Sequence, residues 1–259
     1  MIVFYIILQL IYKTYFQKGN LTIFSFTMSN ENKQPTYRSK SILPCKAIIF
    51  DMDGTLLEST EADFKAWEKT YKSYDKVLTY ELYQPLLGIR SADVIRNYLG
   101  FANENDVKRI LKEKFDHFVD YVNEHPVKLV AGADNFLKSL SSFDVKIGLA
   151  TSSRQEKTML LLARLNLLQY FDAIVTGEQV NKSKPAPDIF LKAAGKLEVP
   201  PNLCLVFEDG PIGVAASKSA GMKCIAITTT HAAEKLHQAD WIIDQYETID
   251  LGELLKNEG

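Results

Sequence analysis

Two pairs of carboxylates stand directly after apolar runs of the sequence. Asp51 and Asp53 belong to a DxDG turn after the first run, and Glu208 and Asp209 follow a later run. Together these four side chains would form an oxygen-rich site. Such a site suits Mg²⁺, which binds carboxylates, waters and the phosphate oxygens of a substrate.

A lysine and a set of hydroxyls add phosphate chemistry to these acids. Lys184 stands where a helix is predicted to begin, and Thr151, Ser152 and Ser153 follow another apolar run. These groups would neutralise and orient a phosphate, and phosphoryl transfer depends mainly on such positioning and charge stabilisation. A carboxylate can itself act as the nucleophile, while a second carboxyl protonates the leaving oxygen and then activates water.

Taken singly, each of these features has an ordinary structural explanation. DxDG turns also occur in calcium loops, Lys184 alone fits a solvated lysine at a helix end, and Glu208 with Asp209 fits a helix cap. The prediction of phosphoryl transfer therefore rests on the combination and on its order, in which reactive side chains repeatedly follow apolar strands.

The elements that must position these residues are strands that alternate with helices. The predicted strands are residues 46–50, 145–150, 172–176, 203–207, 223–228 and 241–243. The predicted helices between them are residues 132–141, 154–167, 187–197, 212–220 and 231–238. This alternation predicts a mostly parallel sheet covered on both faces. Because such sheets bind ligands at the carboxyl ends of their strands, the polar residues are expected to meet at one edge.

A block of helical periodicity, residues 60–124, separates the first strand from the others. Its last part carries an apolar face with spacings of three and four residues: Val107, Ile110, Leu111, Phe115, Phe118, Tyr121 and Val122. The block is therefore predicted to be a helical insertion after the first strand, long enough to form a small cap.

Particular positions of this block carry predictions of their own. Ser91 is predicted to be a helix N-cap, with Asp93 in the first turn of that helix. Phe64 and Trp67 have helical spacing and are predicted to pack inward, whereas Asp63 is offset from them and is expected to face the cleft.

The motifs, in their order along the chain, resemble those of the haloacid dehalogenase superfamily over residues 46–245. They are FDMDGTL (50–56), ATSS (150–153), KPAPDIF (184–190) and FEDGPIGVAASKSAGM (207–222). The branch that the chain resembles holds β-phosphoglucomutase and small sugar-phosphate phosphatases. The resemblance implies an α/β fold, a Rossmann-like doubly wound parallel sheet with a small inserted α-helical cap domain. With the polar segment that Met28 opens read as part of a flexible leader, the chain is predicted to comprise that leader (1–43), a core (44–58 and 126–259) and a cap (59–125).

The resemblance also implies a role for each matching residue. Asp51 would be the nucleophile, and Asp53 the general acid and base. Thr151 and the amide of Ser152 would hold the phosphoryl oxygens, and Lys184 would bridge the phosphate and the nucleophile. The implied Mg²⁺ shell comprises Asp51, Asp53 through its backbone carbonyl, Glu208 and Asp209.

Departures from the family pattern favour hydrolysis over mutase activity. β-Phosphoglucomutases carry a histidine at the position of Asp63 and a lysine at the position of Leu87. Gly88 and Arg90 instead resemble the cap loop of phosphatases that act on 2-deoxyglucose and glycerol phosphates, and Arg90 is predicted to reach the substrate.

We therefore predict a Mg²⁺-dependent phosphatase that hydrolyses a small phosphomonoester, a sugar or polyol phosphate, through an aspartyl-phosphate. A phosphosugar mutase is the alternative. A non-enzymatic binding module is a third hypothesis, opposed by the presence of Asp51, Asp53, Lys184 and Asp209. The expected partner is a small phosphorylated metabolite.

Composition sets further limits on partners and compartment. The 259-residue chain has a net charge of -2, which provides no electrostatic case for binding nucleic acid or an anionic membrane. The three cysteines have spacings that match no zinc or redox motif, and they fit small buried hydrophobes in a reducing compartment. The protein is expected to be cytoplasmic and monomeric.

The histidines are predicted to be structural or surface residues without an identifiable partner. They are His117, His125, His231 and His237.

The first residues leave two hypotheses open. Residues 1–12 form an apolar run that is too short to span a bilayer, which needs roughly 20 such residues, and it lacks the flanks of a secretory signal. Our hypothesis is that the functional chain starts near Met28, so that residues 1–27 are an upstream extension. The rival hypothesis is a genuine anchor or targeting peptide.

Overall fold

Six parallel strands form the centre of the structure, a computed structural model that describes residues 45–255. The strands are β1 (Ala47–Phe50), β2 (Lys146–Ala150), β3 (Ala173–Val175), β4 (Cys204–Glu208), β5 (Lys223–Ile227) and β6 (Trp241–Ile243). They are hydrogen-bonded in the order β3-β2-β1-β4-β5-β6. The predictions for residues 1–43, including the start near Met28, lie outside the described residues.

The register places β1 between β2 and β4. Phe50, the last residue of β1, pairs with Leu149 on one side and Phe207 on the other. All six predicted strands are confirmed, and their bounds differ from the prediction by at most one residue at either end. The predicted α/β class, with a doubly wound parallel sheet, is likewise confirmed.

Helices fill the connections between the strands. Their bounds are α1 (Thr60–Lys72), α2 (Tyr80–Tyr83), α3 (Ser91–Val94), α4 (Glu104–Glu124), α5 (Ala133–Leu140), α6 (Gln155–Arg164), α7 (Asp188–Leu197), α8 (Pro211–Ser219) and α9 (Leu251–Leu254). Single 3₁₀ turns lie at Gln84–Leu86, Leu168–Tyr170, Gly177–Gln179, Pro201–Leu203, Ala233–Leu236 and Tyr246–Thr248, and a π-helical turn at Ile95–Leu99. None of the helices in this described part is both long and apolar enough to cross a membrane.

The sheet is buried on both faces, and β1 shows why its sequence is wholly apolar. Side chains alternate along a strand, so Ile48 and Phe50 pack into a cluster on one face, while Ala47 and Ile49 pack into a second cluster on the other. A strand covered on both sides has no polar face, which is the reason for the run of apolar residues that predicted it.

Two local predictions were wrong. Ser91 is the first residue of α3, and the residue in the N-cap position is Arg90, which has an extended backbone. The predicted helix 231–238 is only the 3₁₀ turn Ala233–Leu236, of which Leu236 alone is buried. Without an apolar stripe to bury, so short a segment lacks the packing that normally stabilises a helix.

The block between β1 and α5 has a hydrophobic cluster of its own. Phe64 and Trp67 of α1 are buried there with Ile110 of α4, which confirms that the two aromatic residues pack inward. We call residues 59–125 the helical insertion, and we propose that it is a cap domain because this cluster is separate from the two beside the sheet.

Candidate active site

The turn after β1 brings two aspartates to the carboxyl edge of the sheet. The amide of Asp51 donates to the carbonyl of Phe207 at 2.9 Å, which continues the pairing of β1 with β4 beyond the strand. Gly54 has φ +85°, and a Cβ atom there would lie 2.3 Å from Oδ2 of Asp209. Glycine therefore allows both the turn and the close approach of the second acidic segment.

Lys184 links the nucleophile candidate to the second acidic pair. Its Nζ lies 2.5 Å from Oδ1 of Asp51 and 2.6 Å from Oε1 of Glu208. Burial alone would lower the pKa of Lys184, but the two carboxylates raise it, so the ammonium stays charged. A permanent positive charge is thus fixed beside Asp51.

Asp51, Glu208 and Asp209 form a buried acidic cluster whose carboxylate oxygens lie within 4.8 Å of one another. Burial, together with repulsion from Glu208 and Asp209, raises the pKa of Asp51 well above its usual range, although Lys184 opposes the shift. Burial and Glu208 raise the pKa of Asp209 to about 7. A divalent cation would relieve this repulsion, and an all-oxygen donor set fits Mg²⁺.

The orientation of Glu208 is fixed by the backbone that follows it. Its Oε2 accepts hydrogen bonds from the amides of Asp209 at 3.0 Å and Gly210 at 3.1 Å. Gly213, in the first turn of α8, leaves the room that this side chain occupies, because a Cβ atom there would lie 1.7 Å from Oε1 of Glu208.

Asp53 lies beside this cluster with different partners. Ser59 and Ser153 donate to its two oxygens, the latter at 2.5 Å, and Nζ of Lys157 lies 2.8 Å from Oδ1. Burial would raise the pKa of Asp53, but Lys157 and the hydrogen bonds hold it below its usual range. The pKa values of the two aspartates of the DxDG turn are therefore shifted in opposite directions.

A cleft with about 700 Å³ of free space, part of it open to solvent, lies between this edge and the helical insertion. Asp51, Asp53, Thr151, Ser152, Lys184, Glu208 and Asp209 line its floor, and Asp63, Gly88 and several apolar side chains of the insertion line its roof. The structure thus brings together all the predicted residues of the core motifs, along with Asp63 and Gly88.

Arg90 is the predicted site residue that the structure places elsewhere. Its guanidinium pairs with Asp93, with Nε 2.8 Å from Oδ2, and donates to the carbonyls of Val180 at 2.9 Å and Asn181 at 3.2 Å. It is not among the residues that line the cleft. The carboxylate of Asp93, three residues further on, and two loop carbonyls accept its hydrogen bonds. Arg90 therefore joins the insertion to the core.

Sequence reasoning missed Lys157, which lines the cleft and is buried. Besides contacting Asp53, its Nζ lies 3.0 Å from Oδ1 of Asp63. A signal was present in the sequence, because Lys157 precedes Leu161 by four residues and so shares the buried face of α6. By type alone, however, a lysine is expected at the surface.

Contrary to the prediction, each of the four histidines has a partner, and the one that lies at the site is His231. Its Nδ1 lies 2.9 Å from Oγ1 of Thr230 and 3.2 Å from the carbonyl oxygen of Asp209, and the residue lines the cleft. His117 also has a partner, the hydroxyl of Thr70 at 3.2 Å. These contacts join segments distant in sequence or depend on a loop conformation, so sequence spacing does not indicate them.

Comparison with known proteins agrees with the motifs. The family model described as haloacid dehalogenase-like hydrolase matches residues 48–227. A phosphorylated carbohydrates phosphatase of Thermotoga maritima is 36% identical over 185 residues, which cover 70% of this chain and 83% of that protein. β-Phosphoglucomutase of Bacillus subtilis is 32% identical over 220 residues, covering 82% and 95%. A solved hydrolase of the same superfamily from Entamoeba histolytica superposes with a TM-score of 0.73 at 28% identity, covering 81% of this chain and 97% of that one.

Proposed function

Since the chain belongs to the haloacid dehalogenase-like hydrolases and is a phosphoric monoester hydrolase, we propose that it hydrolyses a small sugar or polyol phosphate with Mg²⁺ through an aspartyl-phosphate on Asp51. The observation that carries this proposal is the contact of Lys184 with both Asp51 and Glu208 at the floor of the cleft. Lys184 supplies a fixed positive charge beside Asp51, and Glu208 and Asp209 supply two further carboxylates next to it.

In the first half of the reaction, an oxygen of Asp51 attacks phosphorus and the bond from phosphorus to the leaving oxygen breaks. Lys184, the hydroxyl of Thr151 and the amide of Ser152 hold the phosphoryl oxygens, and Asp53 delivers a proton to the leaving oxygen. Mg²⁺, held by Asp51, Glu208, Asp209 and the carbonyl of Asp53, would neutralise the charge of the phosphoryl group.

In the second half, water replaces the leaving group. Asp53 accepts a proton from the water as its oxygen attacks phosphorus, and the bond from phosphorus to Asp51 breaks. The lowered pKa of Asp53 favours the ionised form that this second half needs, whereas the first half needs the protonated form. Phosphate and free Asp51 are the products.

The substrate class follows from the cleft and from the relatives. The roof combines hydrogen-bonding groups such as Tyr83 and Ser91 with apolar ones such as Trp67 and Leu86, which suits a small polyhydroxylated skeleton. The Thermotoga relative is a phosphatase of phosphorylated carbohydrates by name.

The likeness to a β-phosphoglucomutase keeps a mutase as the second candidate. Against it, Asp63 replaces the mutase histidine, and three partners engage its carboxylate: Tyr83, Lys114 and Lys157.

The proposal is tested by phosphate release from a panel of sugar phosphates, polyol phosphates and nucleotides with Mg²⁺. Asp51→Asn is expected to abolish turnover while the protein stays folded, because the amide is nearly isosteric but a poor nucleophile. EDTA should stop the reaction and excess Mg²⁺ restore it, whereas Ca²⁺, with its looser coordination, should be a poor substitute. Normal turnover by Asp51→Asn would contradict the assignment. Conversion of β-glucose 1-phosphate to glucose 6-phosphate without phosphate release would indicate the mutase.

A further inference from the structure

Two lysines and two aspartates meet between the helical insertion and the edge of the sheet. Lys157 of α6 and Asp53 belong to the core, whereas Asp63 of α1 and Lys114 of α4 belong to the insertion. Nζ of Lys157 lies 2.8 Å from Oδ1 of Asp53 and 3.0 Å from Oδ1 of Asp63. Lys114 pairs with the same oxygen of Asp63. Both lysine side chains are 7% exposed, so these contacts are made largely out of water.

Lys157 differs in kind from the other partners of Asp53. The hydroxyls of Ser59 and Ser153 can donate or accept and can rotate to suit either form of a carboxyl group. The ammonium of Lys157 only donates, and it carries a fixed charge. Among the contacts described for Asp53, it is therefore the one that holds Oδ1 at a defined place.

Lys157 is itself held by two groups besides Asp53. Its Nζ lies 4.9 Å from the centre of the Phe118 ring, within the range of a cation–π contact, and Asp63 contacts it from the insertion. An ammonium anchored in this way does not simply follow the carboxylate that it binds, so the geometry constrains Asp53.

We propose that Lys157 is a positioning residue for Asp53, holding the carboxyl group where it must meet the leaving oxygen and then the attacking water. This inference deepens the proposed function and rests on it. Proton transfer requires hydrogen-bond distance to the reacting oxygen, and small displacements of a catalytic group are costly to the rate. Lys157 touches Asp53 and acts through it.

The test compares Lys157→Met with Lys114→Met. Both changes remove a buried lysine that contacts Asp63, but among the described residues Lys114 forms no hydrogen bond or ion pair with Asp53, which makes it a matched control. We expect kcat of Lys157→Met to fall roughly 100-fold, with KM changed less than about threefold, because the general acid and base is no longer correctly placed. The kcat of Lys114→Met is expected to fall by less than about fivefold. Equal losses in the two variants, or no loss in Lys157→Met, would overturn the proposal.

A substrate with a good leaving group distinguishes a positioning role of Lys157 from a purely structural one, because only the positioning role changes the relative rates of the two half-reactions. 4-Nitrophenolate needs no proton to leave, so Lys157→Met should form the aspartyl-phosphate readily and hydrolyse it slowly. The expected signature is a burst of about one 4-nitrophenolate per enzyme molecule before a slow steady state. The absence of a burst, with both steps slowed alike, would indicate that Lys157 only supports the fold.

Crystal structures of the two variants separate a failure of this proposal from a failure of the proposed function. The Asp53 carboxylate should leave its position in Lys157→Met and keep it in Lys114→Met. Even if the wild-type protein released no phosphate from any ester, an unmoved Asp53 in Lys157→Met would still overturn the positioning role. Should Lys157→Met fail to fold, Lys157→Gln keeps a donor without the charge and serves the same comparison.

Discussion

At the scale of single residues, Asp63 shows how a buried carboxylate depends on its neighbours. Burial would raise its pKa, but Lys114 and Lys157 together hold it below its usual range. Its second oxygen accepts a hydrogen bond from Tyr83 at 3.1 Å. A charge that is removed from water in this way is stable only while its partners remain in place.

Replacement of Asp63 by Asn should therefore destabilise the protein in a pH-dependent way. The pKa of Asp63 is lower in the folded than in the unfolded chain, so its contribution to stability is present above the ordinary pKa and is lost as pH falls through the folded value. We expect Asp63→Asn to lower the free energy of unfolding by about 3 kcal/mol at pH 7, a difference that shrinks below about pH 4.

Urea denaturation across pH would measure this effect. Asp116→Asn is the control, because Asp116 pairs with Lys112 in an exposed salt bridge of the same insertion, 54% and 76% exposed, and should matter little. A difference for Asp63→Asn that is independent of pH would contradict the lowered pKa.

Residue type and order were enough to predict the floor of the site, but not the contacts around it. Asp51, Asp53 and Asp209 follow strands, and Lys184 lies in the loop before α7; the order of the strands brings these side chains to one edge of the sheet. Lys157 was missed because a lysine is expected at the surface, whereas its position on α6 places it on the buried face of that helix. The position on the helix decided its burial. The partners of Arg90 could not be predicted, since loop carbonyls carry no signature in side-chain chemistry.

At the scale of elements, the first turn of α8 is shaped around Glu208. Alanine normally stabilises a helix relative to glycine, by about 1 kcal/mol in the interior. At Gly213 the added methyl would collide with Oε1 of Glu208, which Lys184 also contacts. Fold and function therefore favour the same residue at this position.

Gly213→Ala should consequently destabilise the protein by roughly 2 kcal/mol. Because Glu208 must move, we also expect the Mg²⁺ concentration for half-maximal phosphatase activity to rise about tenfold, a typical effect of disturbing metal ligands indirectly. Urea denaturation and a Mg²⁺ titration would measure the two quantities.

Gly195→Ala provides the matched control for this change. Gly195 lies inside α7 and has nothing within 4 Å of an added Cβ, so alanine should stabilise by about 0.5–1 kcal/mol without altering the need for Mg²⁺. If Gly213→Ala behaved like Gly195→Ala, the steric argument would fail.

Elements with a strong pattern were predicted well, and weak ones were not. The strands were confirmed because burial on both faces demands runs of apolar residues. The segment 231–238 has helix-forming residues but buries only Leu236, and tertiary packing left it a single turn. The division into core and cap stays a prediction, supported by the separate hydrophobic cluster of the insertion.

At the scale of the whole molecule, Arg90 joins the insertion to the core. Its hydrogen bonds to the carbonyls of Val180 and Asn181 connect the insertion to the loop before α7, and Asp93 holds the guanidinium in place. Each hydrogen bond from a charged group contributes more than a neutral one. The contact thus resists separation of the two parts.

Arg90→Ala should loosen this contact rather than abolish substrate binding. We expect amide hydrogens of residues 88–94 and 177–181 to exchange roughly 30-fold faster, which corresponds to a loss of about 2 kcal/mol from local stability. Hydrogen exchange would measure this, with Arg109→Ala as control because Arg109 pairs with Asp106 in an exposed salt bridge within the insertion. A raised KM with unchanged exchange would instead support the direct substrate contact predicted from sequence.

The three cysteines are buried and form no disulfide among the described residues, as expected of small hydrophobes. The expectations of a cytoplasmic location and a monomeric state stay predictions.

The central position of β1 has a consequence for synthesis on the ribosome. β1 is translated first among the strands, but its second neighbour, β4, is completed only when Glu208 has been added. Until then the nascent chain carries one apolar strand edge without its final partner, and such edges invite pairing with other chains. Chains released before Cys204 would lack two of the three residues of the acidic cluster and would also be prone to aggregate, so premature termination is expected to yield insoluble products rather than weakly active ones.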